Sequence, residues 1–246
     1  MNRKFLDDYD VILLDLGNTF MFDADRFGDA LGMASTYMTE GGYLLDGSAV
    51  ARILSATAEI GQAYARNPAF YDRYPPLVDM MQQVPEAAQL PPVELARLAR
   101  VFAQHERGFI PPSHAVALRG LRETHRLGLV SNVWAPAEVF HNALEGARVR
   151  SLFDVLVFSS EVGAIKPSPV IFERALSAFD VSRDRVVHVG DKLKRDVAGA
   201  KALGLGAVWV CSEGAEPLPG DPRPDLVIRD LRDLATAHRP ETVPGS

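Results

Sequence analysis

Short apolar runs, each closed by turn-forming residues and separated by helical patterns, leave few folds open to this chain. The first run is Val11-Ile12-Leu13-Leu14, four branched aliphatics with no polar alternation. Such a run reads as a strand buried on both faces, as a parallel sheet requires. Similar runs cover residues 127–131, 153–159, 185–190, 207–211 and 226–228. Between them Ile171, Phe172, Ala175, Leu176 and Phe179 share one helical face, and Ala198, Gly199 and Ala202 would let a helix lie close against a sheet. Strand, helix, strand repetition predicts an α/β fold: a Rossmann-like parallel sheet sandwiched by helices.

One stretch breaks this rhythm. From about residue 21 to residue 108 no buried strand is evident. Val50, Ile53, Leu54, Thr57, Ile60 and Tyr64 follow helical spacing, as do Leu95, Leu98 and Phe102, and Pro68, Pro75-Pro76, Pro85 and Pro91-Pro92 punctuate the segment. The expected organisation is an α/β core of residues 1–20 and 109–246, with residues 21–108 inserted as a helical domain over the strand ends. Residues 215–224 read as a proline-rich loop and 240–246 as a frayed tail.

Composition narrows the function classes. Twenty-six basic against 32 acidic residues give −6 with no basic run, which argues against nucleic acid and anionic membrane as partners. No apolar stretch approaches the ~20 residues of a membrane span, and the first residues are followed by Asp7, Asp8 and Asp10 rather than an apolar signal core. The single Cys211 excludes an internal disulfide and a cysteine zinc cluster, and reads as a buried strand-end residue. These features point to a cytoplasmic protein; monomer and homodimer both stay open.

Chemistry-bearing groups fall at four strand ends. Asp15 closes the first run, ahead of the turn formers Gly17-Asn18-Thr19. Ser131-Asn132 closes the second, Lys166 lies just beyond the third, and Asp191 and Asp196 follow the fourth in Gly190-Asp191-Lys192-Leu193-Lys194-Arg195-Asp196. Open α/β sheets bind ligands at the carboxyl ends of their strands, so all four should converge. Each also has a plain structural reading. Asp15 and Asp191 could cap helices, Ser131 could begin one, and Lys166-Pro167 could be an exposed loop. Lys192, Lys194 and Arg195 read as a solvated helix face, and His188 as a buried strand residue.

Taken in order, Asp15, Ser131, Lys166 and the Gly-Asp-x₄-Asp string resemble the four motifs of the haloacid dehalogenase superfamily, whose members are mostly phosphatases. The helical insertion after the first motif resembles that family's C1-type cap. The resemblance implies a hydrolase acting on a small-molecule phosphomonoester, with Asp15 as nucleophile and an aspartyl-phosphate as intermediate. It implies Mg²⁺ held by Asp15, Asp191 and the carbonyl of Gly17, with Asp196 in the outer shell, through water or by orienting Lys166. Lys166 would neutralise charge on Asp15 and the phosphoryl group, which Ser131 and the backbone N–H of Asn132 would hold. The physical logic agrees: at an effective dielectric near 20, unit charges ~4 Å apart repel by about 4 kcal/mol. Clustered carboxylates facing a phosphate need a cation, and Mg²⁺ prefers such oxygen ligands.

Gly17 departs from the pattern. The family's phosphatases usually carry there a second Asp that protonates the leaving oxygen, help worth ~10²–10⁴ in rate. Asp23 and Asp25 are candidates to replace it, although both also read as caps for a helix beginning near Arg26. Haloacid dehalogenases lack that acid too, so dehalogenation is an alternative, but they are metal-free and Asp191 retains the metal carboxylate. Phosphonoacetaldehyde hydrolysis needs a cap lysine, and the lysines are Lys4, Lys166, Lys192, Lys194 and Lys201. A phosphomutase needs the missing acid. A weakly active or non-catalytic phosphate-binding protein is the third class. Within the insertion, Arg66, Arg73, Phe70, Tyr71 and Tyr74 are candidates to face the pocket or to form a loop surface.

Overall fold

The computed structural model describes residues 5–24 and 27–237. Six strands form one parallel sheet: β1 (Val11–Leu14), β2 (Arg126–Ser131), β3 (Phe153–Phe158), β4 (Val186–Gly190), β5 (Gly206–Val210) and β6 (Leu226–Ile228). Their order is β3-β2-β1-β4-β5-β6, the doubly wound arrangement in which ligands sit where the order reverses. The central strand is the one whose sequence carries no polar alternation, and its four residues are fully buried. Ile12 and Leu14 enter one core cluster, Val11 and Leu13 the other, so both faces are covered. Each fully buried aliphatic contributes roughly 1.5–3 kcal/mol relative to exposure.

Helices α1 (Ala30–Thr39), α2 (Gly47–Arg66), α3 (Leu77–Met81) and α4 (Pro92–Glu106) occupy the stretch between β1 and β2, followed by α5 (Pro112–Arg122). Val50, Ile53, Leu54 and Thr57 are buried along α2, as are Leu95, Leu98 and Phe102 along α4, which is why those spacings read as helical. The chain enters and leaves this helical segment side by side: Phe22 and Phe109 exchange both backbone hydrogen bonds, at 2.9 and 2.8 Å. The larger core cluster takes in sheet residues, Leu118, and Ile53 and Phe102 of the helical segment.

The remaining helices are α6 (Glu138–Gly146), α7 (Ser159–Val162), α8 (Pro169–Leu176), α9 (Ala198–Ala202) and α10 (Leu231–Ala237). Ile171, Phe172 and Ala175 of α8 are buried, and Gly199 of α9 approaches Phe172 so closely that a Cβ there would meet its ring at 2.5 Å. Ala202, expected on the same packed face, is exposed. Among the described residues no helix is long and apolar enough to cross a membrane.

Candidate active site

Asp15 directly follows the central strand, and its backbone N–H donates to Val189 O at 2.9 Å, which holds it level with the end of β4. Ser131 at the end of β2 and Asp191 after β4 flank it on either side. Ser131 Oγ donates to Asp15 Oδ1 at 3.1 Å. Lys166 Nζ donates to the same oxygen at 2.6 Å and to Asp196 Oδ1 at 2.6 Å. Lys166 is only 2% exposed, so the exposed-loop reading fails, and Ser131 ends a strand rather than beginning a helix. Asp15, Asp191 and Asp196 each bring one carboxylate oxygen within 4.8 Å of the others.

Two of these positions depend on contacts that no motif names. Asn132 clips the lysine loop with its side chain: Oδ1 accepts Lys166 N–H at 2.8 Å and Nδ2 donates to Lys166 O at 3.2 Å. Asp196 lies on a single π-helical turn, Leu193–Val197, an irregularity frequent at functional sites. The turn tucks Asp196 under Gly190, where any Cβ would meet Asp196 Cγ at 2.3 Å. His188 Nε2 lies 2.9 Å from Asp196 Oδ1, and Lys192 N–H donates to Asp196 Oδ2 at 2.9 Å. Asp191 therefore does not cap this turn: Lys192 holds the N-cap position, and Asp196 within the turn accepts its N–H.

The two buried carboxyls differ because their donors differ. Burial raises both. On Asp196 the Lys166 charge and the His188 hydrogen bond outweigh burial and hold it below the usual carboxylate range. On Asp15 burial prevails over Lys166, and Asp196 and Asp191 add repulsion, so it rises to about 7. Burial alone would lower Lys166, but the two carboxylates outweigh it and raise it. Burial lowers His188, and since ionised Asp196 only accepts, His188 Nε2 carries the proton between them.

The helical segment docks on one side of this cluster. Tyr71 O accepts from Ile165 N at 2.8 Å, Tyr74 N donates to Gly163 O at 2.7 Å, and Ser168 Oγ donates to Asp72 Oδ1 at 2.5 Å. These three bonds bracket Lys166. Glu106 at the end of α4 accepts from Trp134 N and Ala135 N, both at 2.8 Å, just beyond Asn132. A cavity of about 300 Å³ remains there, lined by Tyr74, Val133, Trp134 and Ser159. On the opposite side a cleft of about 440 Å³ opens onto Asn18, Asp191, Lys192, Cys211 and Arg229. Asn18 Nδ2 donates to Asp191 Oδ2 at 3.3 Å, and Lys192 Nζ lies 2.7 Å from that oxygen.

Several expectations need correction. Lys192 is not merely part of a solvated face, although Lys194 is exposed. Cys211 is half-buried on the cleft wall rather than buried. The first helix begins at Ala30 and is capped by Asp29, which accepts from Gly32 N at 2.9 Å, so Asp23 does not cap it. Asp23 is exposed at φ 57°, and Asp25 and Arg26 lie outside the described residues. Arg66 and Arg73 are exposed, with Arg66 donating to Gln62. Tyr74 spends its hydroxyl on Gly61 O at 2.7 Å.

A family model described as HAD-hydrolase-like matches residues 164–234, the stretch holding Lys166, Asp191 and Asp196. Phosphoserine phosphatase of Thermus thermophilus is 33% identical over 148 residues, 59% of this chain and 58% of that protein. Haloacetate dehalogenase H-2 of Moraxella is 34% identical over 95 residues, 38% and 41% of the two chains. The chain spans about half the length of the curated relatives it matches. A crystal structure of 2-haloacid dehalogenase from Pseudomonas syringae pv. tomato superposes with a TM-score of 0.65 at 24% identity, covering 93% of this chain and 97% of that one. A HAD phosphatase from Thermococcus onnurineus gives 0.61 at 23% identity, covering 92% and 96%.

Proposed function

We propose that the chain is a hydrolase of the haloacid dehalogenase superfamily and, within it, a Mg²⁺-dependent phosphatase. It would act on small-molecule phosphomonoesters through an aspartyl-phosphate on Asp15. The observation that carries the reading is the coincidence of a nucleophile-bearing triad with an acidic cluster. Asp15 is bonded to both Ser131 and Lys166, and shares a 4.8 Å neighbourhood with Asp191 and Asp196. We read the helical stretch 21–108 as the cap.

The residues present fit a hard divalent cation. The donors are all oxygens, as Mg²⁺ prefers. Asp15 and Asp191 would be direct ligands, with the Gly17 carbonyl. Asp196 already spends both oxygens on Lys166, His188 and the Lys192 amide, which suits an outer role. When bound, Mg²⁺ would supply charge neutralisation and Lewis-acid polarisation of the phosphoryl oxygens.

The chain's own groups divide the remaining work. Asp15 would attack phosphorus with one carboxylate oxygen while the P–O bond to the leaving group breaks, splitting one hard displacement into two easier ones. Lys166 and Ser131, already on Asp15, and the Asn132 N–H would hold the phosphoryl oxygens and stabilise the developing charge. Asn132 would also fix Lys166 through its side chain. Water then cleaves the acyl phosphate and restores Asp15. With Gly17 in place of an acid, the leaving oxygen takes its proton from solvent, which favours good leaving groups such as acyl and aryl phosphates. Asp23 has no bond to Asp15, Ser131, Lys166 or Asp191 among the described residues, so it gains no support as the substitute.

Relatives named as phosphoserine phosphatase and glyceraldehyde 3-phosphate phosphatase support a small phosphorylated substrate. Dehalogenation is the second reading, favoured by Gly17 and by the dehalogenase relative, and opposed by retention of Asp191. The test is a panel of p-nitrophenyl phosphate, acetyl phosphate and sugar phosphates with Mg²⁺ or with EDTA, beside halide release from 2-haloacids. Phosphate release that EDTA abolishes is expected. Halide release without phosphate release would overturn the proposal in favour of the second reading, and turnover of neither would favour the phosphate-binding one.

A further inference from the structure

We propose that Lys192 is a tethered counter-ion that competes with the metal for Asp191 and so sets how tightly the site holds Mg²⁺. The inference rests on reading Asp15 and Asp191 as metal ligands. Its geometric basis is that the ammonium of Lys192 lies 2.7 Å from Asp191 Oδ2, at the mouth of the acidic cluster. A divalent ion taking that oxygen would face a like charge at contact distance, so metal binding here is an exchange of cations.

The residue is built for such an exchange. Its backbone is fixed, because Lys192 N–H donates to Asp196 Oδ2 at 2.9 Å. Apart from that ion pair its side chain is 58% exposed, and it lines a cleft of about 440 Å³ that Cys211 also lines. A lysine ammonium is a strongly hydrated point charge on a flexible stem, so returning it to water costs little. Lys166 cannot play this part, being buried and bonded to both Asp15 and Asp196. Lys194 is exposed and makes no ion pair with any of the three acids among the described residues.

Calorimetric titration of Mg²⁺ into the wild-type chain, K192A, K192R and K194A tests this. K192A should tighten Mg²⁺ roughly two- to fivefold, the span of an exposed ion pair. K192R, which keeps the charge, should bind as wild type, and K194A should change less than K192A. A second readout separates exchange from a structural role. In EDTA, K192A should melt below wild type, having lost the counter-ion of Asp191, and in saturating Mg²⁺ the two should melt together. Equal affinity in wild type and K192A, or equal tightening in K192A and K194A, overturns the proposal and leaves the metal reading standing. A wild-type chain that takes up no Mg²⁺ overturns both.

Discussion

On the β2 and β3 side of Asp15 the strand-end loops are clamped by the helical segment, through Tyr71, Asp72, Tyr74 and Glu106. On the β4 and β5 side no such clamp occurs among the described residues, and a cleft reaches Asp191 and Lys192 from solvent. The clamped side carries Ser131, Asn132 and Lys166, the groups read as holding the phosphoryl oxygens. The open side carries Asp191 and the exchangeable ammonium. The contrast has a physical sense. Groups that stabilise a transition state work when preorganised and dry, whereas an ion that must arrive hydrated needs an open approach.

The largest effect should come from breaking the clamped side at its centre. Lys166→Met leaves Asp15 and Asp196 buried without their shared cation, which should destabilise the fold by ~3–5 kcal/mol. It should also lower turnover by about 10²–10³. Denaturant melts beside steady-state rates check both, and a fully stable, active variant would remove Lys166 from the account.

Gly17 bears on the next effect in size. A Cβ placed there meets nothing within 4 Å, so Gly17→Asp should fold normally. If the missing acid limits the reaction, this variant should hydrolyse alkyl phosphates about 10²-fold faster, the lower end of general acid–base gains. Aryl phosphates should respond less. An unchanged alkyl rate would mean that the proton is already supplied from another group.

pH tests the buried pair itself. In the metal-free chain Asp15 titrates near 7 when folded and near the ordinary 3.8 when unfolded. The folded form therefore binds the extra proton between those values, and Asp15 contributes stability that grows as pH falls from 7 towards 4. Asp196, held low, contributes stability that is present above about 4 and lost as pH falls below it. His188 and His114, lowered by burial, oppose Asp15 within its window. The difference between wild type and Asp15→Asn in EDTA isolates the Asp15 part, which should rise on acidification from pH 7 to 4. A flat difference would place Asp15 in a wetter setting.

The smallest effect belongs to the clamp alone. Asp72→Ala removes the acceptor for Ser168 and should cost about 1 kcal/mol of stability. Because it loosens only the lysine loop's flank, turnover should fall while Mg²⁺ affinity, measured by calorimetry, stays unchanged. A matching fall in Mg²⁺ affinity would erase the distinction between the two sides.

How much of this could be read from sequence depended on whether partners were local. The run Val11–Leu14 announced a doubly buried strand because both faces are covered, and Asp15 stood out against it. The spacing of Val50, Ile53, Leu54 and Thr57 announced α2 for the same reason. Lys166, Asp191 and Asp196 were legible only as members of an ordered motif set. The bond from His188 to Asp196 joins a strand to a π-turn, a geometry without sequence period. Asn132 to Lys166 and Tyr71 to Ile165 span distant segments of chain, and their polar atoms carry no pattern at all. Asp23 looked like a cap because acids near a helix start usually are; Asp29 stood closer to the true start.

The central claim is that Asp15 accepts the phosphoryl group, and chemical trapping tests it most directly. The Mg²⁺-loaded chain would be exposed briefly to p-nitrophenyl phosphate, quenched in acid, reduced with borohydride and analysed by peptide mass spectrometry. The account predicts conversion of Asp15 to homoserine, dependent on both substrate and Mg²⁺, and accumulating because Gly17 offers no base to hasten hydrolysis. Substrate turnover with Asp15 unmodified, or reduction at a different carboxylate, would contradict it.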